Sequence, residues 1–462
     1  MLLTKEKEPT YGALCMTELK LDFPDRFLWG TATAAHQVEG DNTNNDWSLF
    51  EQQPGAIWHD DRSGVACDWW HNAEKDFDLM ADMGHNTHRL SVEWSRIEPE
   101  EGAFDPLAVR RYRQMLEGLR RRDIEPMVTL FHFTTPLWLA HQGGWSNPAV
   151  VEYFRRFVRH TVDQLGDLVT LWCTINEPNV YAALGYGLGE HAPGEKSLLL
   201  YSRVLANLLQ AHAAAYRVIH ALHGGAQVGL VKNMQIFEPL NLPDRASGTL
   251  SRLLDYIFNN LTLRAVADGR LQIPLSLGLS SHGPLVDSVD FWGLNYYSRQ
   301  RVSLNNRDGG HLSVLRPTPG AQLSDSGRNG TYGEIYPAGL YRALARLKRF
   351  RKPIYITENG LPDRDDVLRP GFLLAHLANV QRAIREGVDV RGYYHWSLTD
   401  NFEWAEGWAL RFGLVALDPQ TQIRTPRPSA KLYAEIARQN AITPEMVTKF
   451  APHLLSELFP HA

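Results

Sequence analysis

The sequence predicts a single α/β domain folded as a (β/α)8 TIM barrel, a closed ring of eight parallel strands with a helix after each strand. Eight short runs rich in Val, Ile, Leu and aromatic residues alternate with amphipathic helical stretches. Several of these runs are almost continuously apolar, as expected of strands covered on both faces. The runner-up is an open doubly wound sheet, but the turn after the first run, WGTAT, is not a G-x-G-x-x-G motif.

The predicted strands share a short β-branched, aliphatic or aromatic centre. In chain order they are FLWGTATA (27–34), THRLSV (87–92), EPMVTLFH (125–132), LVTLWCTINE (168–177), QVGLVKN (227–233), SVDFWGLNYY (288–297), PIYITENG (353–360) and VRGYYHWSL (390–398).

Helical patterns fill the intervals between the strands. Asp105 and Asn147 each precede a proline, which predicts an N-cap followed by the first helical residue. The predicted helices cover roughly 73–83, 106–123, 148–167, 200–223, 251–268, 337–349, 370–387 and 428–439.

The chain has 462 residues, more than the roughly 250 of a typical barrel, so the prediction includes long βα loops. We expect them after strand 1 (about 35–72) and after strand 6 (about 298–336), both at the C-terminal mouth of the barrel. The Gly-, Ser- and Asn-rich segment 303–333 is predicted to be a surface loop. No repeat or linker divides the chain, so we predict one domain over 1–462, with extensions at 1–22 and 441–462.

Composition and charge argue against several classes of function and partner. The formal net charge is −5 with no basic stripe, which argues against a nucleic-acid partner. Cys15, Cys67 and Cys173 are scattered and suggest neither disulfides nor a zinc site. The first residues lack a signal-peptide core, and no apolar run has membrane-spanning length, so we expect a cytoplasmic protein without a membrane partner. Thirteen tryptophans suit either a packed core or a sugar-binding cleft.

Two glutamates stand at the ends of predicted strands. Glu177 ends strand 4 in TINEPN (174–179), and Glu358 ends strand 7 in ITENG (356–360). Pro178 keeps its predecessor out of helical geometry, and Asn-Gly permits a tight turn. A lone strand-end glutamate is more often a solvated loop residue. Two of them across one barrel mouth can converge on a common site.

Paired carboxylates are suited to glycoside cleavage. A protonated carboxyl group gives its proton to the departing oxygen, while an ionised one attacks the anomeric carbon. A separation of about 5 Å between the two groups gives a covalent intermediate and retained configuration.

The motifs around these residues resemble those of glycoside hydrolase family 1, the β-glucosidases and β-galactosidases. TINEP and ITENG resemble its acid/base and nucleophile motifs. Six further segments resemble motifs of the family and occur in the same order as in the family: FLWGTATAAHQVEG, HRLSVEWSRIEP, FHFTTPLWL, FWGLNYYS, HWSLTDNFEWAEGW and RFGLVALD. The resemblance covers nearly the whole chain. It implies that Glu177 is the general acid/base and Glu358 the nucleophile, with Arg89 beside Glu358 and Tyr297 donating its hydroxyl to it.

The resemblance also implies a sugar pocket. Gln37, His132, Asn176, Glu403 and Trp404 match positions that hydrogen-bond sugar hydroxyls, Trp396 would be the stacking floor, Phe412 would close the pocket wall, and Asn295 is a further candidate. Phe133 stands where the family usually has Trp, which leaves the choice between glucose and galactose open. Glu403 and Trp404 favour an unphosphorylated sugar.

The resulting hypothesis is a retaining exo-β-glycosidase that acts on terminal glucosyl, galactosyl or fucosyl groups of small β-glycosides. A transglycosylase with the same residues and a non-catalytic sugar-binding barrel are the alternatives. No metal ion or organic cofactor is implied, and the oligomeric state is not predicted.

Overall fold

The structure is a computed structural model that describes residues 20–241, 244–272, 274–275, 285–304, 307–308, 311–312, 315–328 and 330–460. Eight parallel strands close into a barrel in chain order, and the last pairs with the first. The strands are β1 (Leu28–Ala32), β2 (Thr87–Ser91), β3 (Glu125–Phe131), β4 (Leu171–Asn176), β5 (Gln227–Asn233), β6 (Phe291–Asn295), β7 (Ile354–Asn359) and β8 (Val390–Trp396). Each lies within a predicted run, which confirms the barrel and excludes the open sheet.

A long helix follows each strand. The helices are α1 (Trp69–Asp82), α2 (Pro106–Arg120), α3 (Val150–Leu165), α4 (Leu198–Leu222), α5 (Arg245–Asp255, continued by Tyr256–Asn260 and Leu261–Asp268), α6 (Pro337–Leu347), α7 (Arg369–Arg385) and α8 (Pro428–Gln439). Short helices at the mouth and the C-terminus are Ala35–Val38, Asp46–Phe50, Trp94–Ile97, Leu137–Ala140, Pro178–Ala182, Pro444–Phe450 and Leu455–Leu458.

Three predicted helix starts are wrong. Helix α1 begins at Trp69 and not at residue 73. Helix α3 begins at Val150 rather than Pro148, because Val150 N bonds to Asn147 O over three residues and makes the first turn tighter than an α-helix. The helix predicted from 251 begins at Arg245, where Asp244 is the N-cap and accepts from two backbone amides. The cap predicted at Asp105 is confirmed, since its side chain accepts from Leu107 N at 2.7 Å.

Long loops cover the mouth of the barrel, as predicted after β1 and β6. The segment predicted as a plain loop at 303–333 nevertheless contains strands. Leu315–Arg316 pairs with Arg299–Val302, which also pairs with Ile236–Pro239 from the loop after β5. Ser326–Gly327 pairs with Gly330–Thr331. The first two pairings join two mouth loops into one small three-stranded sheet, and the pair at 326–331 is a separate ladder.

The segments just before β1 and just after α8 meet at the opposite end of the barrel. Leu21–Asp22 pairs antiparallel with Ala441–Ile442, so both segments predicted as extensions contribute to one ladder. The side chain of Asn440 accepts from Trp29 Nε1 at 2.9 Å, near the start of β1. Residues 1–19 with Cys15 lie outside the described residues, and the domain boundaries stay a prediction.

Most tryptophans serve the core, since seven of the thirteen are almost fully buried. Within the described part of the chain, none of the helices has both the length and the apolar character needed to cross a membrane.

Candidate active site

The ends of β4 and β7 bring Glu177 and Glu358 to one cavity of about 1010 Å³. Glu177 directly follows β4 in the left-handed region, with φ 42° and ψ 59°, and Pro178 begins the short helix after it. A glutamate rarely adopts this conformation, which turns the chain sharply between strand and helix. Glu358 lies within β7, opposite Asn295 of β6.

Both oxygens of Glu358 are held by strong donors. Arg89 Nη1 donates to Oε1 at 2.6 Å, and the Tyr297 hydroxyl donates to Oε2 at 2.6 Å. Arg89 is fully buried and is fixed further by Thr129 Oγ1 at 2.9 Å. Burial and then the charge of Glu358 raise the pKa of Tyr297 well above its usual value, so its hydroxyl remains a donor. A buried guanidinium and a phenol together stabilise the ionised form of this carboxylate and fix its orientation.

Glu177 has neutral donors only. Its Oε1 accepts from Asn233 Nδ2 at 2.8 Å and from Asn295 Nδ2 at 2.7 Å. Burial, followed by the negative charge of Glu358, raises the pKa of Glu177 to about 7, against the opposing effect of the two amides. The carboxyl group therefore carries its proton over much of the range below neutral pH.

An oriented chain of groups connects Arg89 to His132. Asn176 Oδ1 accepts from Arg89 Nη2 at 2.8 Å and from Asn295 Nδ2 at 3.2 Å. A guanidinium only donates, so the Asn176 amide nitrogen faces His132 Nε2, at 3.0 Å. Burial, and then Arg89, hold the pKa of His132 well below its usual value, so the ring is neutral. Its Nδ1 then carries the proton and has no partner within the described residues.

Residues after β8 form another part of the cavity. Gln37 Nε2 donates to Glu403 Oε2 at 3.2 Å, which ties the loop after β1 to the loop after β8. Burial raises the pKa of Glu403 to about 8. Trp396 and Trp404 line the cavity, and the Trp404 ring lies 5.2 Å from that of Phe133.

Four predicted residues lie behind the cavity wall rather than on it: Arg89, Gln37, Asn295 and Phe412. The role of Phe412 in closing the pocket wall stays a prediction. Its ring packs 5.1 Å from Tyr332 and 6.1 Å from Tyr297, and these two tyrosines line the cavity in front of it. Asn295 binds Glu177 and thus positions a carboxyl group.

Sequence reasoning missed three residues. Asn233 ends β5 and could have been found by the strand-end argument applied to Glu177. Its neighbour Lys232 is buried, and its Nζ donates to the carbonyl oxygen of Asn233. Tyr332 comes from a long loop and carried no signal in the sequence. Among the described residues, no cluster of three or more His, Cys, Asp or Glu side chains could hold a metal ion.

Comparison with known proteins assigns the family. Residues 19–442 match the family model described as "Glycosyl hydrolase family 1". The chain belongs to glycosyl hydrolase family 1. The "Beta-glucosidase A" of Thermotoga maritima, a family 1 relative, is 33% identical over 91% of this chain and 98% of its own length. The "Beta-galactosidase" of Pyrococcus woesei is 29% identical over 91% of this chain and 98% of its own.

Solved structures agree with this assignment. The "beta-glycosidase from Pyrococcus horikoshii" superposes with a TM-score of 0.83 at 38% identity, covering 94% of this chain and 98% of that one. The "Family 1 b-glucosidase from Thermotoga maritima" gives a TM-score of 0.84 at 32% identity, covering 92% and 99%. The resemblance seen in the motifs is confirmed, and the chain is an O-glycosyl hydrolase. A barrel that only binds sugar is thereby excluded.

Proposed function

We propose that this family 1 glycosidase is a retaining exo-enzyme that removes terminal β-D-glucosyl, galactosyl or fucosyl groups through a covalent glycosyl-enzyme. The observation that carries the proposal is the asymmetry of two carboxyl groups on one cavity. Glu358 has a guanidinium and a phenol as donors, whereas Glu177 has two amides and a pKa raised to about 7. One group is suited to attack and the other to proton transfer.

In the first step a carboxylate oxygen of Glu358 attacks the anomeric carbon. The bond from that carbon to the glycosidic oxygen breaks, Glu177 gives its proton to the departing oxygen, and the aglycone leaves as a neutral alcohol. Asn176 and His132 line the cavity beside the carboxylates, where they can bind hydroxyls of the sugar. Glu403, lining the cavity beyond the carboxylates, accepts from hydroxyls farther along the ring.

In the second step water cleaves the ester. Ester formation removes the charge of Glu358, one of the two causes that raise the pKa of Glu177. The lower pKa turns Glu177 into a base, which takes a proton from water as the oxygen attacks the anomeric carbon. Glu358 leaves as a carboxylate, and the product keeps its β configuration.

Glu358→Ala tests the assignment. We expect folding to survive and turnover of nitrophenyl β-glycosides to fall at least a thousandfold, because no other group can form the ester. A panel of gluco, galacto, fuco and manno substrates identifies the sugar. Proton NMR of the wild-type reaction should show the β anomer first. Retention of a tenth of the wild-type rate, or an α anomer formed first, would overturn the mechanism.

The transglycosylase alternative uses the same residues and differs in its acceptor. It is supported if glycosyl transfer products exceed free sugar when an alcohol is present at low concentration. The cytoplasmic location and the absence of a cofactor stay predictions, and for the latter we expect chelators to leave the rate unchanged.

A further inference from the structure

The cavity that holds the carboxylates continues outward between loops with many apolar side chains. Val180, Leu184 and Leu188 line it from the segment after β4, and Leu254, Ile257 and Phe258 line it from α5. Both stretches contain a π-helical turn, at Ala183–Leu188 and at Tyr256–Asn260. Such turns recur at functional sites, where they change the direction in which side chains project.

This outer region offers no indole. All thirteen tryptophans fall within the described residues, and only Trp396 and Trp404 line the cavity. Both belong to the end of β8 and the loop after it. A pyranose ring stacks its C–H face on an aromatic plane, and indole provides the largest one. A second sugar in the outer region would have smaller rings to stack on, such as those of Phe237 and Phe258.

The charged groups in this region are partly engaged already. Arg328, Glu406, Glu190 and Lys196 line the cavity. The backbone N of Arg328 donates to Glu406 at 2.7 Å, and the Arg328 guanidinium donates to Ala56 O at 2.9 Å. The aliphatic residues, in contrast, leave apolar surface open to solvent, and Leu188 is 55% exposed. Apolar surface at a binding cleft is stabilised when an apolar ligand covers it.

Building on the proposed function, we propose that the natural leaving group is an apolar aglycone, an alkyl or aryl-alkyl chain of several carbons, rather than a second sugar. The sugar occupies the inner end between Glu358 and Trp396, and the chain of the aglycone lies along Leu184, Leu254 and Phe258. Specificity at this end then comes from buried apolar area and not from hydrogen bonds to hydroxyl groups.

A series of n-alkyl β-glycosides from methyl to octyl, carrying the sugar that the nitrophenyl panel identifies, tests this proposal. Longer n-alkyl alcohols have similar acidity, so changes in kcat/KM along the series report binding of the chain. We expect kcat/KM to rise by about threefold to fourfold for each methylene until the cavity is filled, which corresponds to about 0.8 kcal/mol per methylene. We also expect the octyl glycoside to exceed the corresponding β-1,4-linked disaccharide.

Two variants with matched controls locate the effect. Leu254→Gln should flatten the dependence on chain length, whereas Leu253→Gln should not, because Leu253 is 51% exposed and does not line the cavity. Leu188→Gln has Leu198→Gln as its control, a change at a residue that is 79% exposed and also off the cavity. Leu188 is itself largely in solvent, so that variant tests the proposal even where Leu254→Gln fails to fold.

Hydrolysis of the β-glycosyl fluoride separates this proposal from the proposed function, because its leaving group is too small to reach the outer region. The proposal is supported if all variants hydrolyse the fluoride at the same rate. Only Leu254→Gln and Leu188→Gln should then change the dependence of kcat/KM on alkyl chain length. Wild-type turnover of the fluoride with a flat alkyl series, or a preference for the disaccharide, overturns it and leaves the glycosidase mechanism intact. No turnover of any β-glycoside would instead contradict the proposed function.

Discussion

Asn233 is the residue through which the barrel adjusts the general acid. Its amide and that of Asn295 both donate to Glu177 Oε1, and both lower a pKa that burial and Glu358 raise to about 7. The proton on Glu177 therefore depends on a balance between desolvation and two neutral hydrogen bonds. Neither amide carries charge, so the balance can be changed without adding or removing an ion.

We predict that Asn233→Ala moves the basic limb of the pH profile of kcat/KM upward. A bond to the ionised carboxylate favours that form, so its loss raises the pKa of Glu177 and keeps the acid protonated to higher pH. A bond of about 0.5–1.5 kcal/mol corresponds to about 0.4–1 pH unit. Asn379→Ala, on α7, is the control, because its side chain bonds only to Ala375 O within the described chain. If the basic limb stays in place or moves to lower pH, Asn233 does not lower the pKa of Glu177.

Lys232 is a second residue with a pH-dependent effect, in this case on the stability of the fold. Burial holds its pKa well below the usual value, so folding shifts this amine toward its neutral form. Folding releases a proton at pH values between the folded and the unfolded pKa, so stability rises with pH in that range, up to the unfolded pKa of about 10.4.

We predict that Lys232→Met stabilises the protein by about 1–4 kcal/mol at pH 7, because a side chain of similar length fills the site without deprotonation. The gain should shrink as the pH approaches 10. Thermal unfolding of both proteins between pH 6 and pH 10 measures it. A difference in Tm that does not change with pH would show that Lys232 is charged in the folded protein.

At the scale of elements, the strands were more predictable than the helix starts. Each strand is a short apolar run buried on both faces, and this pattern depends on few neighbours. The start of α3 depends on how Pro148 and Ala149 turn after a preceding 3₁₀ helix, which the sequence pattern does not encode. The strand Leu315–Arg316 inside 303–333 pairs with Arg299–Val302, which in turn pairs with Ile236–Pro239 of the loop after β5, so it depends on a contact between distant segments.

The same distinction holds for the site. The convergence of Glu177 and Glu358 was predictable because barrel strands end at a common mouth, whereas the place of Arg89, on β2, beside Glu358 was predicted from the family resemblance. The place of Tyr332 on the cavity was not predictable, because Tyr332 comes from a long loop whose path is fixed by tertiary packing. The end of a strand can be placed from the order of the strands, whereas the position of a loop residue such as Tyr332 requires the fold.

At the scale of the molecule, Asn440 links the segment after α8 to the segment around the start of β1, at the end of the barrel opposite the cavity. Its side chain accepts from Trp29 Nε1 at 2.9 Å and donates to Phe23 O at 3.0 Å, while its backbone has φ 51°. The left-handed conformation costs most residues about 1–2 kcal/mol, and asparagine or glycine less.

We predict that Asn440→Ala lowers the free energy of unfolding by about 2–4 kcal/mol and that Asn440→Gly lowers it by about 1 kcal/mol less, since glycine adopts this conformation without steric cost. Urea denaturation measures both, with Asn379→Ala again as control. Activity at temperatures below the transition should be unchanged, because the contact lies at the far end of the barrel. Equal losses for the two variants would rule out a contribution from the backbone.

The small sheet above the mouth has a consequence for protein engineering. Glu238 bridges Arg299 at 3.2 Å, Arg301 at 3.0 Å and Arg342 at 2.6 Å, and so anchors the loops after β5 and β6 to each other and to α6. Phe237 and Gln300, one from each loop, both face the cavity. A chimera that receives only one of these two loops from a relative would break this anchor and would not acquire the selectivity of that relative. The two loops must be transplanted together, as one cassette.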